Sequence, residues 1–150
     1  YAAKQGWLDG KIVIMHGFSM GSFVTAHTAF EKSSVDGVIL QATASSPQAW
    51  AEALMPFFAQ PFVRIEVGEE LSGIDNVQKL IEADVPVLII SGGEDDQTPA
   101  DLAEAMVEEL NAAGVDVSYH EFPDARHNTI AGQPGYTDVV TDYIETLKTE

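Results

Sequence analysis

Four apolar runs rich in Val, Ile and Leu, at 12–16, 37–41, 85–91 and 115–122, are separated by stretches with helical periodicity. A helix between two strands carries the chain back across the sheet, so consecutive strands run the same way. The pattern therefore predicts an α/β fold with a mainly parallel sheet flanked by helices. The first and third runs are almost unbroken, as in strands covered on both faces, which places them in mid-sheet. At 150 residues the chain has the size of one compact domain, 1–150, able to bury roughly two thirds of the surface its unfolded form exposes.

Local signals divide the rest. Residues 22–32 form a helix-favouring stretch after the first run. Thr98 reads as an N-cap with Pro99 at the first helical position and Asp101 three residues after the cap, and Gly114 closes the helix. Leu102, Ala105, Met106, Leu110 and Ala113 form its apolar stripe. A last helix over 136–147 spaces Tyr136, Val140, Tyr143, Ile144 and Leu147 for packing on the sheet. Between 45 and 73, Trp50, Met55, Phe57, Phe58 and Phe62 mix with Pro47, Pro56 and Pro61. That mixture predicts short broken helices, either in ordinary core packing or as a lid-like segment over a pocket mouth.

Seven basic residues against 24 acidic ones give a formal net charge of −17, which repels phosphate backbones and anionic lipid and argues against nucleic acid as a partner. The acids are spread along the chain, as on a solvated surface. No apolar stretch nears the length of a bilayer span. With no cysteine, disulfides, thiolate catalysis and zinc–thiolate sites are excluded. A cytoplasmic setting is the working expectation. Residues 1–8 read as the last turns of a helix that begins further upstream, so a longer parent is expected.

The chemistry lies at the end of the first run. Gly17, Phe18, Ser19, Met20 and Gly21 form a G-x-S-x-G between a strand and a helix. A bare pattern of this kind arises by accident in roughly one chain of this length in twenty; its context makes it a nucleophile elbow. Strand and helix pass close together there, and Gly17 and Gly21 are expected to provide the room. A serine hydroxyl is a poor nucleophile until a base takes its proton, so Ser19 needs an imidazole and an acid to orient it. His27 lies about two turns down the helix and cannot reach back. His120 sits inside the last strand run, and His16 ends the first, where it is held too rigidly for a base but can line the site together with Phe18. His127, in the loop after the last strand, is the best candidate base. The acid is expected from Glu94, Asp95 or Asp96, because the carboxyl ends of parallel strands gather on one rim. A cation-binding turn is the competing reading for that acidic trio.

The order Ser, Asp, His at successive strand ends resembles the α/β-hydrolase superfamily, and within it the serine-aminopeptidase-like and Bem46-like esterase group. Gly92, Asp95 and Pro99 match that group's G-x-x-D-x-x-x-P, which selects Asp95. The loop 122–128 is similar to its histidine loop, although Arg126 stands where glycine is more usual. The resemblance implies a carboxylic-ester hydrolase with Ser19, Asp95 and His127 as catalytic residues and the Met20 N–H in the oxyanion hole. This chemistry needs no metal or organic cofactor; the partner is a small acyl ester. The resemblance covers the second half of the fold, so the N-terminal strands and the loop carrying the second oxyanion donor are expected to precede Tyr1. The first strand's free edge would then accept a complementing N-terminal segment or a second copy. The alternative, from a different class, is a non-catalytic α/β module or inactive fragment that needs a partner chain.

Overall fold

The computed structural model describes residues 6, 8, 10–32, 34–56, 58–59 and 62–148. The reading of 1–8 as a helix end rests on residues that, Gly6 and Leu8 apart, lie outside these, as do Phe57 and Pro61. Four strands, β1 (Ile14–Phe18), β2 (Gly37–Gln41), β3 (Val87–Gly92) and β4 (Val117–Phe122), form one sheet in the order β1-β2-β3-β4. Every neighbouring pair is parallel. The helices are α1 (Gly21–Glu31), α2 (Pro47–Ala53), α3 (Glu69–Ser72), α4 (Asn76–Ala83), α5 (Ala100–Ala112) and α6 (Tyr136–Thr146).

Side chains alternate across a strand, so a sheet covered on both faces needs apolar residues at every position of its inner strands. Val38, Leu40, Val87 and Ile89 face one way and pack with Ala26 and Ala29 of α1, Leu80 of α4 and Met106 and Leu110 of α5. Ile39, Leu88 and Ile90 face the other way, against Phe122, Ala125, Ile130 and Tyr143 of α6. The Tyr143 hydroxyl accepts from Val38 N–H at 2.9 Å and donates to the Pro86 carbonyl at 2.7 Å, pinning α6 to both central strands. Burial pushes that phenol well above its usual range.

Two sequence expectations are corrected here. Among the described residues β1 is an outer strand: β2 is buried along its whole length, whereas β1 buries only Gly17. Among the described residues no strand pairs with its outer edge. The strand also runs on to Phe18, so His16 lies inside it. On α5 the buried stripe is Ala103, Met106 and Leu110, while Ala105 and Ala113 are exposed. A helix covers the turn N-terminal to each residue's own Cα, which rotates the contact face relative to a simple count.

Candidate active site

All the candidate chemistry gathers where β1, β3 and β4 end. Ser19 follows β1 at φ 53°, a left-handed backbone that costs a non-glycine residue roughly 1 kcal/mol or more. Two bonds hold it there: its N–H donates to the Gln41 carbonyl at 2.9 Å, and its own carbonyl accepts from Ser22 N–H at 2.9 Å. Gly17 makes the turn sterically feasible, since a Cβ there would sit 2.6 Å from both the Gly21 carbonyl oxygen and Thr25 Oγ1. Gly21 does not share this task. A Cβ on it would meet nothing within 4 Å, so the crowding expected on both sides of the serine falls on one.

Asp95 and His127 lie in two loops pressed together. Gly93 N–H donates to the Phe122 carbonyl and Glu94 N–H to that of Ala125, and a Cβ on Gly92 would collide with the Ala125 carbonyl. The Asp95 side chain is fully buried. Its Oδ1 accepts from the N–H groups of Gln97 at 2.9 Å and Thr98 at 2.8 Å. His127 opens a short 3₁₀ helix, His127–Gly132. Its Nδ1 lies 2.8 Å from Asp95 Oδ2, and its Nε2 lies 3.0 Å from Ser19 Oγ. The three residues singled out from the sequence are therefore joined in one hydrogen-bonded line. Phe18 packs its ring 4.9 Å from that of His127.

The remaining candidates are placed as follows. Met20 is the N-cap of α1, in helical conformation, where backbone N–H groups and the helix dipole favour negative charge. His16 and Phe18 line a cavity of about 310 Å³ with Gln41, His127, Asn128 and Tyr136. Burial holds His16 below the usual imidazole range, with a hydrogen bond to Gln41 opposing the shift. His27 is on α1, away from the line, and His120 packs its ring 4.5 Å from that of Phe122. Glu94 pairs with Arg126 at 3.4 Å. Among the described residues no three His, Asp or Glu side chains converge as a metal site.

Sequence reading missed two contributors. Thr98 is not the cap of α5; that position is Pro99, and no side chain caps the helix. Its hydroxyl donates to Asp95 Oδ2 at 3.1 Å and lies 2.9 Å from His127 Nδ1. The signal was present in the motif itself, a hydroxyl three residues after the acid. Trp50 of α2 donates from Nε1 to the Gln97 carbonyl at 2.6 Å, a long-range contact with no local signature. The 45–73 connection holds short helices as expected, α2 and α3. Core packing is not the state of Phe58 and Phe62, which are 67% and 88% exposed, while Trp50 is partly buried. Ala49, Glu52, Ala53, Met55, Val63, Arg64 and Ile65 from this connection, with Leu102 of α5, wall a cavity of about 540 Å³.

A parallel sheet flanked by helices, with this rim, is the architecture of the α/β-hydrolase superfamily. Within it the chain belongs to the prolyl oligopeptidase family, which matches residues 1–145. The superfamily resemblance read from the motifs stands, and the matching family is this one. The fold is shared with the acylaminoacyl peptidase of Pyrococcus horikoshii at 14% identity and a TM-score of 0.69, over 99% of this chain and 25% of that one. It is shared also with a puromycin-hydrolyzing peptidase of Mycobacterium tuberculosis at 22% identity and a TM-score of 0.68, over 97% of this chain and 23% of that one. An esterase domain from Rhodothermus marinus is similar at 15% identity and a TM-score of 0.66, over 95% of this chain and 65% of that one. Identities of this size carry the fold alone. The chain spans about a quarter of the length of the two peptidases. No curated protein matches it. No helix among the described residues is long and apolar enough to cross a membrane.

Proposed function

We propose that this chain is a serine hydrolase acting on carboxylic esters, with Ser19 as nucleophile, His127 as base and Asp95 as the acid that orients it. The observation that carries the reading is the line from Asp95 Oδ2 through His127 to Ser19 Oγ, with steps of 2.8 and 3.0 Å. With Nδ1–H donated to the buried carboxylate, Nε2 presents a lone pair to the serine hydroxyl. Ser19 Oγ attacks the acyl carbonyl while its proton passes to Nε2. The Met20 N–H stabilises the oxyanion, and the leaving alkoxide takes the proton from Nε2. Water then attacks the acyl–Ser19 ester by the same path and releases the acid.

Esters are favoured over amides because an alkoxide leaves more readily than an amine and asks less of the oxyanion hole. A single missing donor there commonly costs about 10²- to 10³-fold. The cavity of about 310 Å³ that His127 lines with His16, Phe18, Gln41 and Tyr136 takes the acyl or alcohol group, and the 45–73 connection reaches the serine through Trp50, which lines a small recess with Ser19, Met20 and Thr98.

The test is labelling of Ser19 by a fluorophosphonate and turnover of p-nitrophenyl acetate, with Ser19→Ala as control. The expected result is labelling of the wild type and a rate lowered about 10⁴-fold or more by the substitution. Absence of labelling in both the intact chain and a longer parent would end the proposal. A second reading, a module inactive until another chain or segment pairs with it, is favoured by the bare outer edge of β1 among the described residues. Its expectation is equal rates for wild type and Ser19→Ala, with labelling restored once that edge is covered by a complementing strand or a second copy.

A further inference from the structure

Thr98 sits between the acid and the base and belongs to neither role. It is 5% exposed, and its hydroxyl is withheld from the helix end that directly follows it. A threonine hydroxyl has one proton and two lone pairs. The proton goes to Asp95 Oδ2 at 3.1 Å, so towards His127 Nδ1, 2.9 Å away, only a lone pair remains. Nδ1 must then be the nitrogen that carries hydrogen. Asp95 leads to the same assignment. Its oxygens accept from Gln97 N–H, Thr98 N–H and Thr98 Oγ1–H, and an ionised carboxylate only accepts, so its 2.8 Å contact with Nδ1 needs the hydrogen on Nδ1.

We propose that Thr98 is a positioning residue that fixes His127 in its Nδ1–H tautomer, by accepting from Nδ1 while donating to the acid that Nδ1 also contacts. The proposal rests on the triad reading above for its catalytic meaning, but not for its geometry. Two acceptors on one N–H, from residues three apart on the same loop, hold the ring in both tilt and protonation. Asp95 alone gives a single point about which the imidazole can swing. The Nε2 lone pair then stays aimed at Ser19 Oγ, 3.0 Å away, before any substrate arrives.

Two variants separate the hydroxyl from the space it fills. Thr98→Val keeps the branched shape and removes the hydroxyl; Thr98→Ser keeps the hydroxyl and removes the methyl group. For p-nitrophenyl acetate, Thr98→Val is expected to lower kcat about 10-fold with KM within about twofold, as for an interaction that matters after binding. Thr98→Ser should stay within about threefold of wild type. The second readout needs no turnover: long-range ¹H–¹⁵N spectra of the histidine-labelled chain, with His127 assigned through His127→Gln. At pH above the imidazole titration, wild type and Thr98→Ser should give one Nδ1–H tautomer, and Thr98→Val a mixture or an exchange-broadened ring. A single unchanged Nδ1–H signature in Thr98→Val overturns the proposal whatever the rates do. So does Thr98→Ser falling as far as Thr98→Val. If neither wild type nor any variant labels or turns over, in this chain or in a longer parent, the hydrolase reading fails, and the spectra still decide the role of Thr98.

Discussion

The rim at the carboxyl ends of the strands and the 45–73 connection lie side by side and are built in opposite ways. On the rim each chemical group is fixed several times over. Ser19 is held through Gln41 and Ser22, Asp95 through four donors, and the two loops carrying Asp95 and His127 are bonded through Gly93 and Glu94. In the connection, α3 buries no residue, and several of the visible bonds run within the segment, as from Gln48 to the carbonyl of Ile65 and from Val67 N–H back to Gln48. Of the strands that end at the rim, among the described residues β3 is paired on both sides and β1 and β4 on one, so the loop bonds supply the rest of the rigidity. An element that buries no residue, such as α3, opens at low free energy. The difference assigns fixed geometry to the rim and adaptability to the connection.

The contrast is sharpest at Gly17. Alanine there would drive a methyl group into the Gly21 carbonyl oxygen and Thr25 Oγ1 at 2.6 Å and the Ser22 Cα at 2.8 Å. Two of these atoms are backbone and cannot swing aside. We expect Gly17→Ala to destabilise the chain by about 3 kcal/mol or more, read as a lowered urea midpoint at unchanged slope, and to abolish Ser19 labelling. A loss under about 1 kcal/mol would mean that the elbow is not the crowded point of the fold. Next comes Ser19→Gly. The serine occupies φ 53°, where glycine is at ease, so the substitution should raise stability by about 1 kcal/mol while removing all labelling. A stabilising substitution at the centre of the chemistry would mark the rim as strained for function; an unchanged or lowered melting temperature would remove that argument.

These particulars bear on what the sequence makes legible. Strand and helix order follow from the period of the apolar residues, because burial on two faces demands it, and β2 and β3 lie where their runs indicate. Ser19, Asp95 and His127 were legible because short motifs fix their places at strand ends, and parallel strands bring those ends together. The end of β1 was not, since the strand runs on to Phe18 and takes His16 into its interior. Thr98 was misread for a different reason. A hydroxyl before proline at a helix start is a good local cap, but this one donates to Asp95, three residues back, and meets the His127 ring, 29 residues on. Local propensity cannot weigh a contact that exists only once the sheet has formed. Gly21 is the converse case, a motif residue whose expected crowding never arises.

Trp50 is the point where the two regions meet. Its Nε1 donates to the carbonyl of Gln97, whose own N–H holds Asp95. Trp50→Phe should therefore cost about 1 kcal/mol in stability and lower activity only a few-fold, a tether's loss and not a catalyst's. A loss near that of Ser19→Ala would show that the connection shapes the triad itself and would erase the division drawn above.

The smallest effect is expected furthest from the rim. Phe62 is 88% exposed, so its ring has little apolar contact to lose, and replacing it with serine removes surface that water already covers. Phe62→Ser should leave stability within about 0.5 kcal/mol and the rate on a small acetyl ester unchanged. On esters of long acyl chains it should raise KM alone, because a ring that is idle in the free protein is apolar surface held ready for a bulky substrate. Equal KM for short and long chains in wild type and Phe62→Ser would take the 45–73 connection out of substrate recognition altogether and leave the rim to account for it.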